Sequence, residues 1–469
     1  MQFKQHSSAV VLGAGIAGLL AAQALSKHFS QVTVLDRRTL DENQDFTKGV
    51  PQSDHLHVML QRGQTIIDRM FPGIIEECAK SSDMSNDWGT ETYWNNPFGV
   101  LPNQKSPIKT WHFSRGTLDR QILKRLKASP NVIITSGKIR GLMGSFGQVT
   151  GVEFESTDTG ALNQLTADLV VDCRGRTSPL IDDLEALGYP KPPITKVDNE
   201  LGYSSQFFQL PEGERASWKL TYLQVREGIH SRGGALCEYA DGKVIAILIG
   251  YGDDRPTADQ EAFLAFARSL PNKKIFADLE RATPLGKPKT WRNLGNCRRH
   301  FGRMKAWPRG LIALGDVACH FNPVYGQGMT VAAVEAEAFE KALQRRHKSG
   351  WELAFQQKIE RLVMVPWLMS VTEDQRSEKA NPGLATRMLH TYLDHVLRGA
   401  VRDPVLHGAF LRVMHMVSSP ASLFSPFILG RVATRSVGRF FQPPSAPSTL
   451  RTHDELLPLL LQAKTLSKP

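Results

Sequence analysis

SAVVLGAGIAGLLAAQALSKHFSQVTVLD, residues 8–36, reads as strand, glycine turn, helix and strand. Residues 8–12 form a short apolar run rich in β-branched side chains, as a buried strand requires. Gly13-Ala14-Gly15-Ile16-Ala17-Gly18 follows, and an apolar helix then runs through Ser26 to a second strand, Gln31 to Asp36. In such a turn the first glycine permits the bend and the second lets the backbone approach a pyrophosphate. The third allows close helix–strand packing, with the helix N-terminus facing the anion. Asp36 and Arg37 end the second strand, where an acid would hold a ribose hydroxyl pair. The unit opens a parallel α/β sheet and points to a dinucleotide.

Working outward, residues 37–115 read as polar and then irregular, with a helix from about His57. Residues 116–127 form a helix with Leu118, Ile122, Leu123 and Leu126 on one face. Asn131–Thr135, 149–156 and 166–172 are strand-like. The texture then changes: Gln206–Leu210, Trp218–Val225, Gly234–Tyr239 and Lys243–Gly250 are strands of an inserted antiparallel sheet, with a helix at about 257–270. The α/β texture returns at Gly310–Leu314. The expected order is a Rossmann-like domain over 1–180 and 301–348, a β-sheet substrate domain over 181–300, and a helical region over 349–469.

Hydrophobic residues at 41% and charged residues at 22% argue against whole-chain disorder. The net charge of +11, spread over 469 residues, is too dilute to point to nucleic acid. Cys78, Cys173, Cys237, Cys297 and Cys319 are far apart and never CxxC, so neither a disulfide framework nor a metal site is expected, and a reducing cytoplasm fits. Ala9–Leu25 lacks an A-x-A site and is interrupted by glycines, so it is not read as a signal core.

A second string carries chemistry. Gly315-Asp316 leads into Asn322-Pro323-Val324-Tyr325-Gly326-Gln327-Gly328-Met329 and a helix to about Arg346. An Asp at a strand end suits sugar hydroxyls. A helix start beyond a stiff Pro-Gly loop suits the electron-rich edge of a reduced flavin.

With both strings, the chain resembles the class A flavoprotein monooxygenases, the para-hydroxybenzoate hydroxylase-like FAD enzymes, over roughly 7–345. Gly49-Val50-Pro51-Gln52-Ser53-Asp54-His55-Leu56-His57 and Phe321–Thr330 are similar to the polyether-type olefin epoxidases within that family. The resemblance implies FAD bound by Gly13–Gly18, Asp36, Arg37, Arg115, Asp316, Gly326, Gln327, Gly328 and Met329. It also implies Gln52, His55 and Pro323 at the flavin edge. Neither a catalytic acid or base nor a metal is expected. NAD(P)H would reduce the flavin, and O2 would give a C4a-hydroperoxyflavin that epoxidises or hydroxylates a lipophilic small molecule. A prenyl-lipid reductase and a flavin-dependent halogenase are the alternatives; the halogenase string W-x-W-x-I-P is absent.

One departure stands out. The family's middle Asp-Gly appears here as Asp172-Cys173-Arg174-Gly175-Arg176, and its two arginines are candidates for attracting FAD or NADPH phosphates. Tyr203, Phe207, Phe208, Trp218 and Tyr222 are candidate pocket residues. The 404–453 stretch has arginines and no acidic residue. It is expected either to cap the substrate domain as a lid or to rest peripherally on an anionic membrane.

Overall fold

The structure, a computed structural model, describes residues 7–41, 58–79, 84–197, 200–239, 242–292, 295–376 and 381–437. The loop carrying Gln52, His55 and His57, and the chain from 438 on, lie outside the described residues.

The architecture is α/β with a Rossmann-like sheet. Its strand order is Leu311–Ala313, Leu169–Asp172, Ser8–Leu12, Gln31–Asp36, Val132–Ser145, Gln148–Ser156, Leu162–Thr166. The first five are parallel neighbours and the last two return as antiparallel hairpins. The parallel strands at its centre are apolar and almost wholly buried, as strands covered on both faces must be. The helix Ile16–Ser26 is apolar around most of its circumference and is buried in turn. Leu118, Ile122, Leu123 and Leu126 are all buried on the helix Arg115–Lys127, as their spacing predicts. The strand at 132 runs ten residues past its expected end, because Gly137, Gly141 and Gly144 interrupt the apolar pattern without ending the pairing.

The second sheet has seven strands: Thr283–Trp291, Leu201–Gln209, Lys243–Tyr251, Arg232–Glu238, Leu220–Leu223, Thr92–Asn96 and Gly99–Val100. The last two come from the stretch expected to be irregular, and Thr92–Asn96 pairs parallel with Leu220–Leu223. One face packs Phe208, Leu236, Val244, Ala246 and Leu248 against Phe263, Ile275 and Leu279 of two covering helices. The other face carries Tyr203, Ala235, Ile247 and Ile249, with Tyr222, Tyr251 and Trp291 beside them, and meets Val324 of the loop before the helix Gly328–Leu343.

Helices Trp351–Asp374, Leu384–Ala400, Pro404–Met414 and Pro426–Val437 form the C-terminal region. Leu406, Leu411, Val413, Leu423, Ile428 and Val432 pack against Trp94, Leu220, Cys237 and Ile245 of the second sheet. Val417, Phe424, Phe427 and Leu429 remain exposed. The apolar side chains of 404–437 are therefore divided between core and surface, and no helix among the described residues is long and apolar enough to cross a membrane.

Three histidines are sealed into this interface. His415 lies edge-on to Trp88, ring centroids 4.2 Å apart, and accepts the Gln61 N–H. His407 Nδ1 contacts the Gln104 amide at 3.2 Å, and His112 Nδ1 contacts Cys237 Sγ at 3.3 Å. Burial pushes His112 and His407 down to about 4 and His415 to about 3. Each is neutral in the fold, whereas the unfolded chain takes up a proton near pH 6.5. Their full stabilisation therefore holds above pH 6.5 and is lost as pH falls toward 4, at roughly 1.4 kcal/mol per pH unit for each. Melting temperature should fall steeply between pH 7 and pH 5, and less steeply in His415→Gln. Equal melting temperatures at the two pH values would mean that these rings are solvated.

Candidate functional site

Leu12, Asp172 and Ala313 stand in register at the carboxyl ends of three adjacent parallel strands. The chain turns to opposite sides of the Ser8–Leu12 strand there, the usual position of a ligand crevice in an open α/β sheet. Gly13 has φ +94°, and a Cβ on it would lie 2.7 Å from the Cys173 carbonyl oxygen. A Cβ on Gly18 would lie 1.9 Å from the Gly13 oxygen. Gly15 is different: the nearest atom to an added Cβ is Arg115 Nη2, at 3.9 Å. The helix start at Gly15 has no side-chain cap, and Ile16, Ala17 and Gly18 form its buried first turn. An arginine beside uncapped N–H groups fits a diphosphate.

Asp36 stands at the expected place with a partner that the sequence reading did not supply. Its Oδ2 accepts the Ala14 N–H at 2.7 Å, and Arg38 donates to both carboxylate oxygens. Burial alone would raise this carboxyl, but the Arg38 guanidinium and the backbone N–H groups of Ala14 and Arg38 outweigh it and hold it below the usual range. Asp36 thus fixes the glycine turn, and Arg37 is exposed.

The second string arrives from the Leu311–Ala313 strand. Gly315 has φ +74°, and a Cβ there would touch the Ala17 side chain at 2.7 Å, so the two motifs meet. Asp316 follows in a single 3-10 turn. Burial raises its carboxyl, while the charges of Arg115, Arg176 and Arg299 oppose that shift. Arg299 Nη1 donates to the Asp316 and Val317 carbonyls and Nη2 to the Arg176 carbonyl, joining two turns. Beneath them Glu335, fully buried, accepts the Gly315 N–H at 2.6 Å and is pushed up to about 8 by burial. It is therefore mostly protonated at neutral pH. Pro323 is exposed, Gly326 has φ +63°, and Gln327 and Met329 are buried. The helix from Gly328 also starts without a side-chain cap.

The basic turn splits in two. Arg174 is held by Asp172 and by Asp183 Oδ2, at 2.6 Å each, and the Ser178 hydroxyl completes the buried Asp172. Its charge is used inside the fold, so the expectation of phosphate attraction by Arg174 is corrected. Arg176 is exposed, near enough for its charge to bear on Asp316.

Alternation sorts the aromatic candidates. Tyr203, Phe207 and Tyr222 lie on the sheet face toward the loop and the C-terminal helices. Phe208 is core on the opposite face, and Trp218 packs on Tyr93 beside a separate cleft of about 410 Å³ whose charges pair as Lys219–Glu91 and Arg215–Glu238. Trp94, not foreseen, joins Tyr222 edge-on at 5.2 Å. Among the described residues no cluster of His, Cys, Asp or Glu could hold a metal.

Residues 11–40 match the family described as NAD(P)-binding Rossmann-like domain. Protein Rv3254 of Mycobacterium tuberculosis is 29% identical over 460 residues, covering 92% of this chain and 94% of its own. Squalene monooxygenase SE2 of Panax ginseng is 21% identical over 341 residues, 69% of this chain and 55% of its own. Among solved structures, the flavin-dependent brominase Bmp2 superposes with a TM-score of 0.66 at 13% identity, covering 93% of this chain and all of the brominase chain. The shared fold is that of flavin-dependent oxidoreductases, which hosts several chemistries.

Proposed function

We propose that this chain is an FAD-dependent monooxygenase that uses NAD(P)H and O2 to oxygenate a lipophilic small molecule. The observation that carries the reading is the meeting of Gly15, Arg115 and Asp316 at the ends of three parallel strands, beside an apolar sheet face. The likeness to a squalene monooxygenase supports the lipophilic substrate and the epoxidase-type outcome.

FAD, when bound, supplies the oxygen-activating chemistry; this chain's residues bind, orient and exclude water. Gly15 and the uncapped N–H groups after it take the diphosphate, with Arg115 as its counter-charge. Asp316, on the turn stapled by Arg299 and Glu335, takes sugar-chain hydroxyls. The N–H groups at Gly328 and Met329 face the ring edge where negative charge develops on reduction. Tyr203, Phe207, Tyr222 and Trp94 offer an aromatic wall to an electron-rich carbon skeleton and keep water from it. Epoxidation of such a substrate asks no proton transfer of the wall.

The test is anaerobic reduction of the purified protein with NADH and with NADPH, followed by 18O2 and a panel of polyenes, prenylated aromatics and phenols. The expected product carries one labelled oxygen, with oxygen uptake matching product. Product without oxygen uptake would mean a reductase, and product that needs bromide would mean a halogenase.

A further inference from the structure

The loop Asn322–Gln327 is pinned at two points by one buried network from distant parts of the chain. Asn296 Oδ1 accepts the Asn322 N–H at 2.9 Å and the Ser370 hydroxyl at 2.7 Å. The Asn296 amide donates to Asp374 Oδ2, and Asp374 Oδ1 accepts the Tyr325 hydroxyl at 2.5 Å. Ser370 and Asp374 lie one turn apart at the end of the helix Trp351–Asp374, and Asn296, Ser370 and Asp374 are all buried. The neighbouring Glu373 pairs with Arg376, and Asp394 pairs with Arg376 and with Arg226, which follows the Leu220–Leu223 strand. One helix end thus ties the loop, the second sheet and the next helix together.

We propose that Asp374 is a positioning residue that, through Tyr325 and Asn296, fixes the loop and so the direction in which the backbone N–H groups at its end point toward the flavin ring. This rests on the reading that FAD binds against that loop. The four bonds named here run to the loop and not to the Gly13–Gly18 turn, so their effect falls on the ring end of the cofactor. A carboxylate suits the position because both of its oxygens accept, and hydrogen bonds to a charged acceptor are roughly twice as strong as neutral ones. An amide replaces it only in part. In Asp374→Asn the new amide can meet the Asn296 N–H2 with its oxygen only by turning its own N–H2 onto the Tyr325 hydroxyl, which must then accept instead of donating, and both bonds lose their charged acceptor.

The exchange Asn296→Asp with Asp374→Asn reverses donor and acceptor across the contact and rebuilds the four bonds named above, with the charge moved to position 296. Four FAD-loaded proteins are compared by FAD Kd, visible flavin spectrum and melting temperature. Asp374→Asn should alter the spectrum and raise Kd about 5- to 20-fold, the scale of one or two hydrogen bonds. Tyr325→Phe should change both in the same direction but less, and it carries the test should Asp374→Asn not fold. The exchange should return both to within about twofold of the parent. Parent-like spectra and Kd in Asp374→Asn and Tyr325→Phe would overturn the proposal, as would an exchange variant that folds yet stays as perturbed as Asp374→Asn. A parent protein that takes up no FAD would overturn the functional reading instead.

Discussion

Gly15→Ala should give a folded protein that has lost most of its flavin, while Gly18→Ala should not fold normally. The two glycines share one turn but face different neighbours. A methyl group at 15 has open space, with Arg115 Nη2 its nearest atom at 3.9 Å, so the protein itself bears no strain. What the methyl displaces is the diphosphate. A loss of about 1–3 kcal/mol follows, roughly 5- to 150-fold in Kd. At 18 the methyl meets the Gly13 backbone oxygen at 1.9 Å, and backbone must move. Flavin-to-protein absorbance ratios and melting temperatures separate the outcomes. Full flavin content in Gly15→Ala would remove the diphosphate from this turn.

The second large effect concerns the basic turn. Arg174→Ala leaves Asp172, with no exposed surface, and its neighbour Asp183 without their cation. Breaking a buried pair by removing one partner costs about 3–5 kcal/mol. Arg176→Glu sits on the surface and should change stability by no more than about 0.5 kcal/mol. Urea unfolding of the two variants is the comparison, and similar midpoints would contradict the assignment of Arg174 to the interior. Only after such a stability check can a change in KM for NADPH in Arg176→Glu be read as docking.

The strand–turn–helix–strand unit was legible because every one of its signals is local: apolar runs, glycines at fixed offsets, an acid at a strand end. The Asp316 turn was legible for the same reason. For Arg174 only half of the answer was local: Asp172 stands two residues before it, whereas Asp183, nine residues on and on another element, completes the pairing through tertiary structure. Thr92–Asn96 hid because a five-residue strand paired with one 128 residues later leaves no local pattern. Tyr325 lies in a marked string, but Asn296 and Asp374 reach it only through tertiary packing, and nothing in their own neighbourhoods marks those two. Arg38 was within reach: an arginine two residues past a strand-end Asp can fold back onto it.

The strand order has a consequence for synthesis. Leu311–Ala313 pairs with Leu169–Asp172 although about 140 residues separate them, a gap that a ribosome crosses in about 7–30 seconds at roughly 5–20 residues per second. For that interval the nascent chain holds four parallel strands with the flank of Leu169–Asp172 unpaired, an apolar edge of the kind that invites association with other chains. The half-made chain also lacks the Asp316 turn, so cofactor cannot rescue it early. Slower translation across 180–310, or scarcity of chaperones, should therefore lower soluble yield more than scarcity of riboflavin does.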